Sequence, residues 1–394
     1  MTDQVDMIQV VGEKIKPFVP MKHIPHLIKS LYGLTVKSCK ELDSYIDKNY
    51  HVIVTGQSEN PYIKHPVEDG YVLKILNKMQ SKNLLFVEAQ HALITHVAKN
   101  GISVPYIVKN LKGEDMSLEK IYHSENMTDS TPFDFYIVRL LTYIPGETFL
   151  NKPVHPKSLY NIGKILGKFH TVMEGFHHRF FDSHTFLWNR IWDLAEIERL
   201  REFLVGVQDE NKKALMSKII DAFNKEVVPK YQLLRKSIIH GDVSESNIIV
   251  QDIPGQKVAS GEPRVCDVSA LIDFNNMVSS YTVFDVAICI AYMSIQCKEF
   301  DQRDVGGHIL AGYLSVQSMN HTEREVLKVC VCARIAQSLV MGAYTYSIDP
   351  SNVYVLNTAA RGWPLASLMW ETSQHEIESR WNKIIEEYEH LSNE

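Results

Sequence analysis

The 394-residue sequence predicts an α+β fold of two lobes, a small β-rich one over residues 1–143 and a large, mainly α one over residues 144–394 with a β-hairpin embedded in it. Three observations predict it. Short runs rich in β-branched and aromatic residues dominate the first third. Helical periodicity takes over after a Pro-Gly break at 145–146, and one pair of strand-like runs interrupts it.

Taken in order, NYHVIVTG (49–56) and GYVLKILN (70–77) read as strands separated by turn-prone residues, hence a hairpin. NLLFVEAQHALITHVAKNG (83–101) places Leu84, Val87, Leu93, Ile94 and Val97 on one helical face and ends at Gly101. FDFYIVRLLTYIPG (133–146) reads as a buried strand closed by its Pro-Gly break. SLYNIGKILGKFHTVM (158–173) puts Leu159, Ile162, Leu166, Phe169 and Met173 on one stripe, with Ser158 as the expected N-cap. Helical patterns recur at 190–205, 209–235, 281–298, 304–318, 322–346 and 374–391. Between them, NIIV (247–250) and VSALIDF (268–274) flank a polar, Gly- and Pro-containing connection and form the β-island.

Apolar residues at 45% and charged residues at 22% are the balance of a globular protein, and a net charge of −6 argues against a nucleic-acid partner. The acidic N-terminal stretch is not expected to be a secretory signal or a transit peptide. No run is read as approaching the roughly 20 apolar residues of a membrane span, so no membrane partner is expected. The six cysteines lack paired CxxC spacing and read as free thiols in a reducing, cytoplasmic compartment. The adjacent His177-His178 reads as a turn and not a metal site, because no third ligand is suitably spaced.

The chemistry centres on IIHGDVSESNIIV (238–250). Asp242 and Asn247 on one loop before a strand can supply a base and a metal ligand for phosphoryl transfer, though the short pattern alone also describes an ordinary Asx-capped turn. Asp273 emerges at the end of the second strand of the hairpin, where it can reach the same ion as Asn247. Asp285, at the start of a very apolar helix, is expected to brace the loop from below, with His240 supporting it. Lys74 sits inside an apolar strand, where an unpaired ammonium is costly. A pair with Glu88 on the next helix would hold both for phosphate contact; the bland alternative is a lysine facing solvent.

These residues, with the motifs IIHGDVSESN, LIDF followed by FDVA, VLK, and IGKILGKFH just after YIPG, resemble the aminoglycoside-phosphotransferase-like branch of the protein-kinase superfamily, which includes choline and homoserine kinases. The likeness runs from about 26 to 385. It implies a two-lobed protein-kinase-like fold with nucleotide held by the first lobe and catalysis in the second. It implies Asp242 as catalytic base, Asn247 and Asp273 as Mg²⁺ ligands, and Lys74 with Glu88 on the phosphates. Ser44 and Asn49 would lie in the loop over the phosphates, which has no glycines, and backbone groups near Thr142 and Ile144 would hold the purine. It further implies GTP as donor and 5-hydroxy-L-lysine as acceptor. Alternatives are an ATP-dependent kinase of another amino alcohol or sugar, and a nucleotide-binding regulator without catalysis. Asn275-Asn276 after LIDF departs from the small residue common there, which asparagine tolerates because it adopts left-handed geometry.

An amino-acid acceptor needs acids for its ammonium groups and a cation for its carboxylate. Arg334, Tyr344, Trp363 and Glu371 are the candidates in the second lobe, each with an ordinary packing or surface reading beside it. Glu245, inside the loop, either faces a cationic substrate or, as the favoured reading, faces solvent.

Overall fold

The computed structural model describes residues 15–44, 46–124, 131–182, 190–253, 264–350, 356 and 358–393. Its contacts divide the chain into two compact units, one of residues 1–99, 104–145 and 178–188, the other of 100–103, 146–177 and 189–394.

The first unit is built on one sheet. After helix α1 (Ile24–Tyr32) come β1 (Leu34–Leu42), β2 (Lys48–Ser58), β3 (Tyr71–Ile75), helix α2 (Leu84–Lys99), β4 (Ile107–Val108), β5 (Ser117–Tyr122) and β6 (Phe133–Thr142). The strands run in the order β1-β2-β3-β6-β4, with β5 also on β6, and every pairing is antiparallel. The expected 49–56/70–77 hairpin is the β2–β3 pair. Side chains alternate across a strand, so the cross-strand row Tyr50–Leu73–Leu140 faces one side, and all three belong to the buried core beside α1's Ile24, Ile28 and Tyr32. The next row, Asn49–Lys74–Arg139, faces the other side. Val87 of α2 covers part of that second face by packing on Leu76 and Ile137.

In the second unit, β7 (Glu147–Thr148) precedes α3 (Pro156–Met173), α4 (Glu210–Glu226), β8 (Lys236–Ile239), β9 (Ile248–Asp252), β10 (Cys266–Leu271), β11 (Val278–Tyr281), α5 (Thr282–Gln296), α6 (Val305–Leu314), α7 (His321–Ile348), α8 (Ala359–Glu371) and α9 (Gln374–Asn393). The β-island is the antiparallel β9–β10 hairpin, extended by β7, and β8 pairs with β11. α5 is buried along its whole length. Helices α3 and α6 touch backbone to backbone. A Cβ on Gly163 would lie 1.9 Å from the Ile309 carbonyl oxygen, and one on Gly312 1.9 Å from that of Tyr160.

Several sequence expectations need correction. Ser158 is not the cap of α3; His155 is, its ring Nδ1 accepting from Lys157 N, while the buried Ser158 hydroxyl accepts from Cys266 N. The 190–205 pattern folds as 3-10 helix (Arg190–Trp192 and Leu194–Gly206), not α. Among the described residues one helix, α7, is long and apolar enough to cross a membrane, contrary to the reading of the sequence, but its apolar window is 94% buried inside the protein. The six cysteines are free thiols.

Candidate active site

The loop joining β8 to β9 is shaped by its backbone before its side chains. Gly241 has φ +77°, and a Cβ there would meet the Asn276 carbonyl oxygen at 2.2 Å, so only glycine fits without rearrangement. Asp285, at the start of α5 and fully buried, accepts from the backbone N–H groups of His240 and Gly241, both at 2.8 Å, and lies 3.2 Å from His170 Nε2. These bonds tie the start of α5 to the backbone of the loop. Burial alone would raise its pKa, yet the His170 hydrogen bond and charge, with the Gly241 N–H, hold it below the usual carboxylate value. His240 is buried; its Nδ1 accepts from Asp242 N, which fixes Nε2 as the donor to the Ile272 carbonyl at 3.1 Å.

Asp242 is held by two donors. Arg334 Nη2 reaches one carboxylate oxygen at 2.9 Å, and Asn247 Nδ2 reaches the other at 2.9 Å and the Asp242 backbone oxygen at 3.0 Å. Each oxygen keeps a further lone pair for an incoming hydroxyl. Burial pushes the Asp242 pKa up, against the pull of Arg334, and the charge of Asp273 adds to the rise. A carboxylate so placed can accept a proton from an alcohol as it attacks.

Asn247 and Asp273 are tied through the hairpin. Leu271 pairs with Ile248, and Ile272 N donates to the Asn247 carbonyl at 3.0 Å. Asp273 itself stands at φ +62°, a left-handed conformation unusual outside glycine, with its carboxylate accepting from Asn275 N at 3.3 Å. With its amide nitrogen spent on Asp242, Asn247 has its oxygen left to offer. An amide oxygen and a carboxylate are hard-oxygen donors of the kind that would suit Mg²⁺ and lower the repulsion of phosphate oxygens. Among the described residues, no group of three or more His, Cys, Asp or Glu is arranged to hold an ion on its own, the His177-His178 pair included.

The acceptor candidates divide. Arg334, 1% exposed, touches Asp242, donates to the Trp192 carbonyl (3.1 Å) and Gln337 (2.7 Å), and stacks against the Trp192 and Tyr292 rings at 5.1 Å each. Glu245 is buried at 8% exposure, which overturns the expectation that it faces solvent. Burial first, then the neighbouring Asp242 charge, lift its pKa to about 7, against the opposing charges of Arg361 and Arg334. The other three lie elsewhere. Tyr344 packs edge-on against Phe203, Trp363 lies under the Lys212 ammonium, and Glu371 is exposed at the end of α8. Sequence reasoning missed Arg361, whose guanidinium donates to the Gln296 carbonyl at 2.7 Å, and Tyr292; nothing local in the chain signals either. A cavity of about 560 Å³ in this unit, lined by His170, Arg235, Lys236 and Thr282 among others, does not include the loop.

In the first unit, Lys74 is buried at 6% exposure on the second face of the sheet, in line with buried Asn49 and Arg139. This excludes the solvent-facing reading. The expected pair with Glu88 is not formed. Glu88 sits on the exposed side of α2, where its carboxylate meets Arg179 at 3.5 Å. The Ser44 hydroxyl is engaged in its own turn, donating to the Asp47 carbonyl (2.8 Å) and accepting from Asp47 N (3.1 Å). The Thr142 N–H donates to the Tyr106 carbonyl at 2.9 Å, so its donor is unavailable to a purine; Ile144 follows the end of β6, half-buried.

A fold with a β-sheet unit, a helical unit and this loop belongs to a known class of enzyme. The chain is a member of the phosphotransferase enzyme family (APH), whose pattern matches residues 43–317. It is a small-molecule kinase with a hydroxyl group as acceptor. Among its relatives, hydroxylysine kinase of Mus musculus is 32% identical over 378 residues, covering 95% of each chain, and that of Bos taurus is 33% identical over 364 residues, covering 92% of each. Homoserine kinase of Rhizobium meliloti (strain 1021) is 22% identical, covering 78% of this chain and 82% of its own. Among solved structures, a microcompartment-associated aminopropanol kinase superposes with a TM-score of 0.61 at 15% identity, covering 88% of this chain and 96% of its own, and so shares the fold.

Proposed function

We propose that this kinase transfers the γ-phosphoryl group of GTP to the hydroxyl of 5-hydroxy-L-lysine, a step in hydroxylysine breakdown. The observation that carries the acceptor is the likeness to hydroxylysine kinases along 95% of the chain. The donor rests on that likeness alone, and ATP is the alternative. In this reading Asp242 orients the acceptor hydroxyl and takes its proton, while Arg334 and Asn247 keep the carboxylate in place. Asn247 and Asp273 hold Mg²⁺, which when bound neutralises phosphate charge. Lys74 contacts the α- and β-phosphates, Asn49 lies beside it, and the backbone at Ile144 meets the purine, making the first unit the nucleotide-binding part and the second the catalytic part.

The test is nucleoside-diphosphate release by purified protein with Mg²⁺ and either GTP or ATP, over a panel of hydroxylysine, lysine, homoserine, choline and an aminoglycoside. Release with hydroxylysine and not lysine supports the reading. Release only with another acceptor replaces the substrate, and no release with any acceptor points to a regulator.

A further inference from the structure

The catalytic loop carries a second carboxylate that the reaction does not use. Glu245 lies three residues past Asp242 in a tight turn closed by Ser244 N on the Asp242 carbonyl (2.8 Å) and Asn247 N on the Ser244 carbonyl (3.0 Å). Its side chain is buried, and among the described residues its Oε2 has no hydrogen-bond partner. A buried carboxylate oxygen left this way is costly, and costlier beside another carboxylate. The charged and titratable groups that face it are Asp242 from its own loop, Arg334 from α7, Arg361 from α8, and Cys289 and Tyr292 from α5. Neither cation is its hydrogen-bonded partner. The terminal nitrogens of Arg334 donate to Asp242, Gln337 and the Trp192 carbonyl while its buried Nε meets no acceptor, and Arg361 donates to the Gln296 carbonyl and side chain. The turn thus presents two acids side by side, one held by two side-chain donors and one whose carboxylate meets its own backbone N–H but keeps Oε2 without a partner.

We propose that Glu245 is the specificity residue for the acceptor, taking the ammonium group on the carbon next to the reacting hydroxyl while Asp242 takes the hydroxyl itself. The acceptor class this defines is the vicinal amino alcohol. The inference rests on the reading of Asp242 as base. An ammonium supplies the N–H donor that Oε2 lacks and offsets the second negative charge of the turn.

The experiment compares wild type, Glu245→Gln and Glu245→Asp on 5-hydroxylysine and on its analogue lacking the side-chain amine, with nucleotide binding measured on each variant to show that it is folded. Glu245→Gln should raise KM for hydroxylysine roughly 10- to 100-fold, the size of one charged hydrogen bond, with a smaller change in kcat. It should leave the analogue's KM unchanged, and Glu245→Asp should recover part of the preference. Equal losses on both acceptors, or an undiminished preference for the amine in Glu245→Gln, overturns the inference while leaving hydroxylysine as substrate. If wild type phosphorylates neither hydroxylysine nor 1-amino-2-propanol, the proposed function falls and the inference falls with it.

Discussion

Among single residues, Asp242 decides the proposed chemistry. Asp242→Asn keeps both flanking contacts sterically possible but removes the proton acceptor, so turnover should fall by about 10²- to 10⁴-fold while nucleotide binding persists; initial rates beside equilibrium nucleotide titration check this. Asp285→Asn should act differently. It replaces an acceptor of two backbone N–H groups by one that can present a single oxygen, leaving a buried donor unsatisfied at a cost of about 1–3 kcal/mol. Both stability and kcat should drop, which thermal melts read beside rates. Asp242, Asn247, Asp273 and Asp285 were legible because they lie within one loop, one hairpin and the helix that follows, where spacing along the chain translates into spacing in the fold. Arg334 was named as an acceptor-binding candidate and not as a partner of Asp242, since nothing in the sequence brings α7 to a loop 92 positions away. The Lys74–Glu88 pair failed on helix phase. The apolar stripe fixes that α2 packs, but Glu88 falls outside the buried face that holds Val87, Gln90 and His91.

At the scale of elements, the α3–α6 crossing is the tightest test of the packing. Gly312→Ala would drive a methyl into the Tyr160 carbonyl, and the helices must separate, at a cost of about 1–3 kcal/mol or more. Gly175→Ala, where nothing lies within 4 Å, is the matched control and should change little in the same chemical denaturation series. The two glycines look alike in sequence; only the partner helix distinguishes them. The same limit explains the elements missed. The short β8–β11 pair has no alternation of its own to announce it, and α8 carries Pro364 in its interior, a residue that argues against a helix when only the sequence is read. Strong periodicity was read well: α2, α3, α5, α7 and α9 fall where the spacing put them, with ends displaced by a few residues.

For the whole molecule, pH is the discriminating variable. Burial, aided in the first case by the nearby Arg139 charge, depresses the His91 pKa to about 3, and burial depresses that of His308 to about 4, against an ordinary value of 6.5. Both rings are neutral when folded and protonate on unfolding. The unfolded chain therefore binds more protons below pH 6.5, and stability must fall as pH drops from there toward 4, with a slope approaching about 1.4 kcal/mol per pH unit per histidine. His91 lies in the first unit and His308 in the second, so the loss should appear in both. Replacing either by a neutral residue of similar size should flatten the melting-temperature profile across that window. The sequence changes from runs rich in β-branched and aromatic residues to helical patterning at the Pro-Gly break, close to where the two compact units divide, whereas nothing in it announces that residues 178–182 group with the first unit.

The central claim is a phosphoryl group delivered to one hydroxyl. Incubation of the purified protein with Mg²⁺, GTP and 5-hydroxy-L-lysine, followed by mass spectrometry and phosphorus NMR of the amino acid, tests it directly. O-phosphorylated hydroxylysine, with the ester at the side-chain hydroxyl, should form with wild type and about 10²- to 10⁴-fold more slowly with Asp242→Asn. Unmodified hydroxylysine after complete conversion of another alcohol in the same assay, or equal product from Asp242→Asn, would contradict it.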